Sequence, residues 1–108
     1  MGGRNRPYMV EMHYAASVMR YYREVWPEVE RALGRGGVTK MRIFLLGRRL
    51  FMYMETTPDY DPSKALQEYL KEPKAAEWEE LMHRFMEPVP EAKPGEWWAA
   101  MQPVYELN

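Results

Sequence analysis

Cysteine is absent from the 108 residues, and there are only two histidines. The lack of cysteine excludes disulfide bonds, thiolate zinc sites and a cysteine nucleophile, and it is compatible with a reducing compartment. The two histidines, His13 and His83, form no HExxH-type pair, which argues against a zinc hydrolase. Since GxGxxG, P-loop and GxSxG motifs are also lacking, the sequence gives no support to nucleotide binding.

The sequence has no excess charge of either sign and no long apolar run. Fifteen Lys and Arg residues face sixteen Asp and Glu residues, a net charge of -1, which argues against a nucleic-acid partner. A membrane partner is not expected, because no apolar stretch is long enough to span a bilayer. The first residues have no apolar segment typical of a secretory signal, so we expect a cytoplasmic protein.

The composition is that of a folded protein. Hydrophobic residues make up 46% of the chain and aromatic residues 14%, which is typical of a globular domain rather than a disordered tail. The length predicts one domain over residues 1–108. We expect residues 1–6 to be flexible.

Residue periodicity predicts the elements of an α+β fold. Residues 7–14 alternate as a strand does, and residues 15–33 show a helical stripe that Pro27 interrupts. Two long strands, Val38–Leu46 and Arg49–Thr56, meet at a tight turn as an antiparallel hairpin.

The second half of the chain predicts two more helices and a last strand. One helix begins near Pro62, another follows the break at Pro73, and residues 103–107 read as a strand that begins at a proline. The order is therefore β-α-β-β-α-β, which predicts a ferredoxin-like four-stranded antiparallel sheet with helices on one face.

The polar residues of the predicted strands fall on one side of the sheet. Each strand has an apolar face, and the opposite face carries Glu11, His13, Arg42, Tyr53 and Glu55. Such a mixture suits a pocket that a second subunit closes. A solvated sheet face with satisfied charges is the alternative.

Four tryptophans are available for a ligand or for the core. Trp26 and Trp78 have the spacing of core residues on helices. Trp97 and Trp98 lie in a proline-rich loop, where they either stack on a sugar ring or seal an interface. His83 is interpreted as a surface or cap residue of its helix.

Several motifs, in order, resemble those of the L-rhamnose mutarotase family. The helix motif of that family is His-x-x-x-Trp-Pro-Glu-Leu/Val, and the ending resembles its L-fucose-associated branch. The resemblance covers nearly the whole chain from Arg6 on. The residues that carry it are Trp26-Pro27-Glu28-Val29, Ile43-Phe44-Leu45, Phe51-Met52-Tyr53-Met54-Glu55, Glu77-Trp78 with Met82, and Gly95 to Leu107.

The resemblance implies a carbohydrate isomerase that works without metal or cofactor. It implies a homodimer of ferredoxin-like subunits forming a dimeric α/β barrel, and a monosaccharide as substrate. The expected reaction interconverts the α and β anomers of a 6-deoxy-hexose such as L-fucose or L-rhamnose. A base takes the anomeric hydroxyl proton, an acid protonates the ring oxygen, and the open aldehyde rotates and closes again.

The chain departs from the family at three positions of the motifs. The helix histidine is Tyr22 here, the tyrosine one turn earlier is Val18, and the second tryptophan of a Trp-Trp pair is Glu79. We predict Tyr22 as proton donor and His13 or Glu55 as base. The residues predicted to bind the sugar are Glu11, Trp26, Arg42, Tyr53, Trp78, Trp97 and Trp98.

Two other functions remain open at this stage. A non-catalytic member of the family that binds a sugar or metabolite is the first, since the helix histidine is lost. A different enzyme on the same dimeric barrel, such as a cofactor-free monooxygenase, is the second, because one fold hosts many activities.

Overall fold

The computed structural model describes residues 4–12 and 15–107 of the chain and confirms an α+β fold. The elements in chain order are β1 (Arg4–Met12), α1 (Ala15–Tyr22), α2 (Pro27–Arg35), β2 (Val38–Leu46), β3 (Arg49–Thr56), α3 (Pro62–Leu70), α4 (Pro73–His83), β4 (Met86–Glu87) and β5 (Ala99–Ala100). Among these described residues, no helix is long and apolar enough to cross a membrane.

Proline positions set the helix boundaries as predicted. Pro27 splits the first helical stripe into α1 and α2, and Trp26 before it is extended, with φ -64° and ψ 135°. This is the conformation that a following proline favours. Asp61 caps α3 through the Ser63 N–H at 3.0 Å, and Glu72 caps α4 through the Lys74 N–H at 3.2 Å.

The sheet is antiparallel, with strand order β2-β3-β1-β4. The hairpin strands β2 and β3 have the predicted bounds, and they place Arg42 opposite Tyr53 and Phe44 opposite Phe51. Strand β1 begins three residues earlier than predicted, and the predicted end at residues 13–14 lies outside the described residues.

The last strand differs from its prediction. Two short segments, β4 and β5, share the free edge of β1, so the described sheet has five strands instead of four. The predicted strand at residues 103–107 does not form, and these residues are exposed without regular structure. Pairing with β1 ends where the Met101 N–H donates to the Pro7 carbonyl, and Pro103 has no N–H to continue it.

The core lies between the helices and one face of the sheet. Leu50 of β3 packs in it with Val18, Val29 and Trp78 from the helices. Since side chains alternate along a strand, Tyr53 lies on the opposite face from the buried Leu50 and Met54. The fold thus separates a helix-covered face from a second face of the sheet.

Gly37 is required at the turn before β2. Its φ is +108°, its carbonyl accepts the Thr57 N–H at 2.8 Å, and an added Cβ would lie 2.8 Å from the Thr57 Oγ1. We expect Gly37→Ala to lower the free energy of unfolding by about 1–3 kcal/mol, because a side chain at this φ is strained. Urea unfolding followed by circular dichroism measures the change.

Gly34→Ala is the matched control. Gly34 lies in α2 with no atom within 4 Å of an added Cβ. Alanine should stabilise the helix there by up to about 1 kcal/mol. Equal effects of the two substitutions would contradict the strain assigned to Gly37.

Candidate functional site

Aromatic side chains of α1, the α1–α2 junction and α4 pack around Trp78. The Trp78 ring is buried and meets the rings of Tyr21, Tyr22 and Trp26 edge to face, at centroid distances of 6.2, 5.7 and 5.1 Å. Such edge-to-face pairs add to the stability gained from burying the rings. This aromatic cluster brings together Tyr22, Trp26 and Trp78, three of the residues predicted for the site.

Trp26 also borders an open depression at the surface. The depression has a volume of about 210 Å³ and is lined by Trp26, Pro27, Glu28 and Lys74. The Lys74 ammonium lies 5.5 Å from the Trp26 ring centroid, close enough for a cation–π interaction. One edge of the aromatic cluster is therefore within reach of a ligand.

A polar cluster adjoins these rings at Glu79. The Tyr69 hydroxyl of α3 donates a hydrogen bond to the Glu79 carboxylate of α4. Burial raises the pKa of Glu79, and the hydrogen bond from Tyr69 opposes part of that rise. The pKa of the Glu79 carboxyl is thus raised above its ordinary value, so this carboxyl holds a proton more readily than an exposed one.

Tyr22 faces the same carboxylate. Burial raises the pKa of the Tyr22 phenol, and the negative charge of Glu79 raises it further. The phenol is therefore protonated at neutral pH and can donate a hydrogen bond, but it cannot act as a base there.

His83 extends the polar cluster from Glu79 to Trp97. Its Nε2 lies 3.5 Å from the Glu79 Oε2, one helical turn away, and its ring stacks on Trp97 at a centroid distance of 3.7 Å and an angle of 5°. Burial lowers the pKa of His83. His83 is thus half-buried and packed on a tryptophan, which differs from its interpretation as a surface or cap residue.

The loop before β5 positions Trp97. The Glu96 carboxylate accepts the Lys93 N–H at 2.9 Å and the Ala100 N–H at 3.3 Å, and these bonds lower the pKa of Glu96. Trp98 packs against the core, so the two adjacent tryptophans have different surroundings. Of the pair, Trp97 is the one that lies with the polar cluster.

The second face of the sheet carries a separate group of predicted residues. The Tyr53 hydroxyl donates to the Glu55 Oε2 at 2.6 Å, and this bond raises the pKa of Tyr53. Arg42 lies beside Tyr53 on β2. These three side chains share one face, as the alternation predicts.

The predicted donor and one predicted base are therefore far apart in the fold. Tyr22 packs on the helix-covered face of the sheet, whereas Glu55 lies on the second face. The two side chains cannot act on one sugar within a single chain. His13 and the Glu11 side chain lie outside the described residues; the Glu11 backbone pairs with Arg49 and Glu87.

Sequence reasoning did not predict Tyr69, Glu79 and His83 as residues of the site. Glu79 is noted there only as a departure from the family, and Tyr69 belongs to a helical stripe that reads as core. The i, i+4 spacing of Glu79 and His83 is the one signal that places two titratable groups on one helix face. The contacts of His83 with Trp97 and of Glu79 with Tyr69 arise from tertiary packing.

Comparisons with known proteins agree with this architecture. The model of the L-rhamnose mutarotase family matches residues 9–107. An L-fucose mutarotase of Xanthomonas campestris pv. campestris is 34% identical over 107 residues, covering 94% of this chain and 86% of that protein. A UPF0734 protein of Dictyostelium discoideum is 46% identical over 93 residues, covering 82% of this chain and 74% of that protein.

A solved structure shows the same fold at low sequence identity. The crystal structure of an L-rhamnose mutarotase from Formosa agariphila has a TM-score of 0.69 and 16% identity, covering 97% of this chain and 99% of that one. The α+β fold of this chain is thus that of a solved L-rhamnose mutarotase. The chain belongs to the L-rhamnose mutarotase family, and its relatives indicate a sugar mutarotase.

The hydrogen bond from Tyr69 opposes the rise that burial causes in the pKa of Glu79. Because this bond favours the ionised carboxylate, Tyr69→Phe should raise the pKa of Glu79 further. Carbon-13 NMR of the labelled carboxyl groups measures the change. Tyr105→Phe, an exposed tyrosine outside the cluster, is the control; an unchanged Glu79 titration in Tyr69→Phe would contradict the assigned bond.

Proposed function

We propose that the protein is a mutarotase that interconverts the α and β anomers of a 6-deoxy-hexose, with L-fucose preferred and L-rhamnose next. One observation carries the proposal: Tyr22 and Trp26, from one motif, pack on Trp78, from another. The Glu79 carboxyl lies beside them and acts on Tyr22. Its support from outside the chain is the L-fucose mutarotase relative and the match to the family model.

The reaction asks little of the protein beyond placing a proton donor and a proton acceptor. Opening the ring needs a proton removed from the anomeric hydroxyl and another delivered to the ring oxygen. Water does this slowly, and each positioned group contributes about 10²–10⁴-fold. The chain requires no metal for this chemistry.

In this proposal Tyr22 donates a hydrogen bond to the sugar, and tryptophan rings contact the apolar face of the sugar. The Tyr22 phenol keeps its proton at neutral pH, which suits a donor. Trp26 borders the open depression and Trp97 lies over His83, so both can contact a sugar from the side of the helices. Trp78 and Trp98 support these rings from the core.

We further propose a ferredoxin-like subunit that dimerises through the second sheet face into a barrel. The strand order β2-β3-β1-β4 is compatible with this plan. Phe44 and Leu46 of β2, which alternate with Leu45 and so share the face of Arg42, are exposed apolar residues at one end of that sheet. Arg42, Tyr53 and Glu55, and on the sequence pattern Glu11 and His13, would then line the interface between the copies and not the site under the helices.

Anomer exchange by proton NMR tests the proposed activity. One anomeric resonance of L-fucose, and then of L-rhamnose, is saturated, and transfer to the other anomer should grow with protein concentration. Tyr22→Phe should lower the rate about fivefold or more, because at least a hydrogen bond worth roughly 1 kcal/mol to the transition state is lost.

The control for Tyr22→Phe is Tyr105→Phe, which removes an exposed phenol outside the cluster. No transfer with either sugar from the folded wild-type protein would reject the mutarotase proposal and leave a sugar-binding protein as the alternative. Full exchange activity in Tyr22→Phe would reject the role of Tyr22 as a donor to the sugar but not the mutarotase function.

Sedimentation velocity tests the proposed dimer. We expect a mass twice that of the 12.9-kDa chain, and Phe44→Lys should shift the protein toward monomer, because it puts a charge into an apolar interface. Leu66→Lys on α3 is the matched control, since Leu66 is 54% exposed and Phe44 52%. A wild-type monomer at high concentration would rule out the barrel.

A further inference from the structure

Glu79 and His83 are the two titratable groups of the polar cluster that combine partial burial with access to solvent. Each side chain is 31% exposed, and the Glu79 Oε2 and His83 Nε2 are 3.5 Å apart on successive turns of α4. Tyr69, which holds Glu79, is buried. Of these three groups, Glu79 and His83 are therefore the ones that a sugar can reach.

The reaction requires an acid and a base that lie close together, and the distance between Glu79 and His83 meets this requirement. The hydroxyl to be deprotonated and the ring oxygen to be protonated are attached to the same anomeric carbon. An acid and a base that act on both at once must lie within a few ångströms of each other and within hydrogen-bond reach of the substrate. A carboxyl and an imidazole 3.5 Å apart meet this requirement.

Burial brings the pKa values of Glu79 and His83 closer together. It raises the pKa of Glu79 and lowers that of His83. A proton therefore passes between them at a lower cost than between an exposed carboxyl and an exposed imidazole, whereas the raised pKa of the Tyr22 phenol makes loss of its proton costly. The groups facing Glu79 are Tyr22 from α1, Tyr69 from α3 and His83 from α4 itself.

We propose that Glu79 and His83 are the acid–base pair that opens and closes the sugar ring, with Trp97 as the platform beside it. This inference rests on the proposed mutarotase function and assigns its chemistry to two residues of α4. Tyr22 then donates a hydrogen bond to the sugar and keeps its proton.

The pair holds one proton throughout the cycle. The unprotonated member takes the proton of the anomeric hydroxyl as the bond between the anomeric carbon and the ring oxygen breaks. The anomeric carbon becomes an aldehyde, and the protonated member gives its proton to the former ring oxygen. After rotation about the bond to the next carbon, the hydroxyl attacks the other face of the aldehyde and both protons return.

Trp97 completes the arrangement. Its ring lies flat on the His83 imidazole and holds that ring in one plane. The Glu96 carboxylate, which accepts two backbone N–H groups, fixes the neighbouring backbone. A sugar that approaches His83 therefore also meets an indole, which suits the apolar face of a 6-deoxy-hexose.

The test compares Glu79→Gln and His83→Gln with a matched pair on the same helix. Glu80 and Arg84 have the same i, i+4 spacing and lie 3.7 Å apart, but their side chains are 76% and 68% exposed. Glu80→Gln and Arg84→Gln therefore make equivalent changes outside the cluster. Circular dichroism and thermal unfolding identify any variant that has lost its fold.

Anomer exchange of L-fucose and L-rhamnose is measured for all four variants and for the wild type. We expect Glu79→Gln and His83→Gln each to lower the exchange rate by about 10²-fold or more, a larger loss than for Tyr22→Phe. The double variant should be no slower than the slower single variant, because the two residues act as one unit. The controls should stay within about threefold of the wild type.

A second readout follows the pair without substrate. A carboxylate beside an imidazole favours the charged imidazolium, so Glu79→Gln should lower the pKa of His83 further. Nitrogen-15 NMR of labelled histidine measures this pKa, and the His83→Gln spectrum assigns its signals. Glu80→Gln should leave the pKa of His83 in place.

The outcomes separate this inference from the function on which it rests. An active wild type with slow Glu79→Gln and His83→Gln variants supports the pair. An active wild type with either variant at the level of the controls overturns the pair and leaves the mutarotase function intact. A wild type that exchanges neither sugar rejects the function itself, whatever the histidine titration shows.

Discussion

The packing of Trp26 against Trp78 is the contact on which the candidate site depends. Trp26 stands at the junction that Pro27 imposes between α1 and α2, and Trp78 is the buried ring of α4. Because Trp78 also meets Tyr21 and Tyr22, this contact fixes the end of α1 against α4. The next residue along α4, Glu79, is thereby brought to face Tyr22.

The same packing brings together two positions that the sequence analysis singled out. Tyr22 and Glu79 are both departures from the motifs that the chain otherwise resembles. The charge of Glu79 raises the pKa of the Tyr22 phenol, so the two positions lie near each other in the fold. In the proposed mechanism, the Glu79 carboxyl and the His83 imidazole on α4 carry the proton transfer that the Tyr22 phenol cannot carry at neutral pH.

Local sequence signals predicted most of the elements but only part of the site. Prolines 27 and 73 and the alternation along β2 and β3 act over a few residues, so the helix breaks and the hairpin bounds could be read directly. The last strand was predicted in the wrong place, because two dipeptides with no periodicity of their own pair with β1.

The candidate site could be predicted only in part, because several of its contacts arise from tertiary packing. Tyr22, Trp26 and Trp78 were predicted from motifs, and the structure brings them together. The stack of His83 on Trp97 joins residues of different elements, and the burial of Glu79 follows from tertiary packing. Neither the stack nor the burial of Glu79 produces a periodic pattern in the sequence. The alternation on β3 correctly grouped Tyr53 with Glu55, but it could not show that Tyr22 lies on the other side of the sheet.

The connection between β4 and β5 has a consequence for how this site varies. Both of its ends are hydrogen-bonded to the same strand, β1, so residues 88–98 form a loop closed at its base. Trp97 lies near that base, two residues before the anchored Ala99, whereas the middle of the loop lies farther from both anchored ends. Insertions or deletions around residues 90–94 can therefore change the length and shape of this loop while the indole over His83 keeps its place.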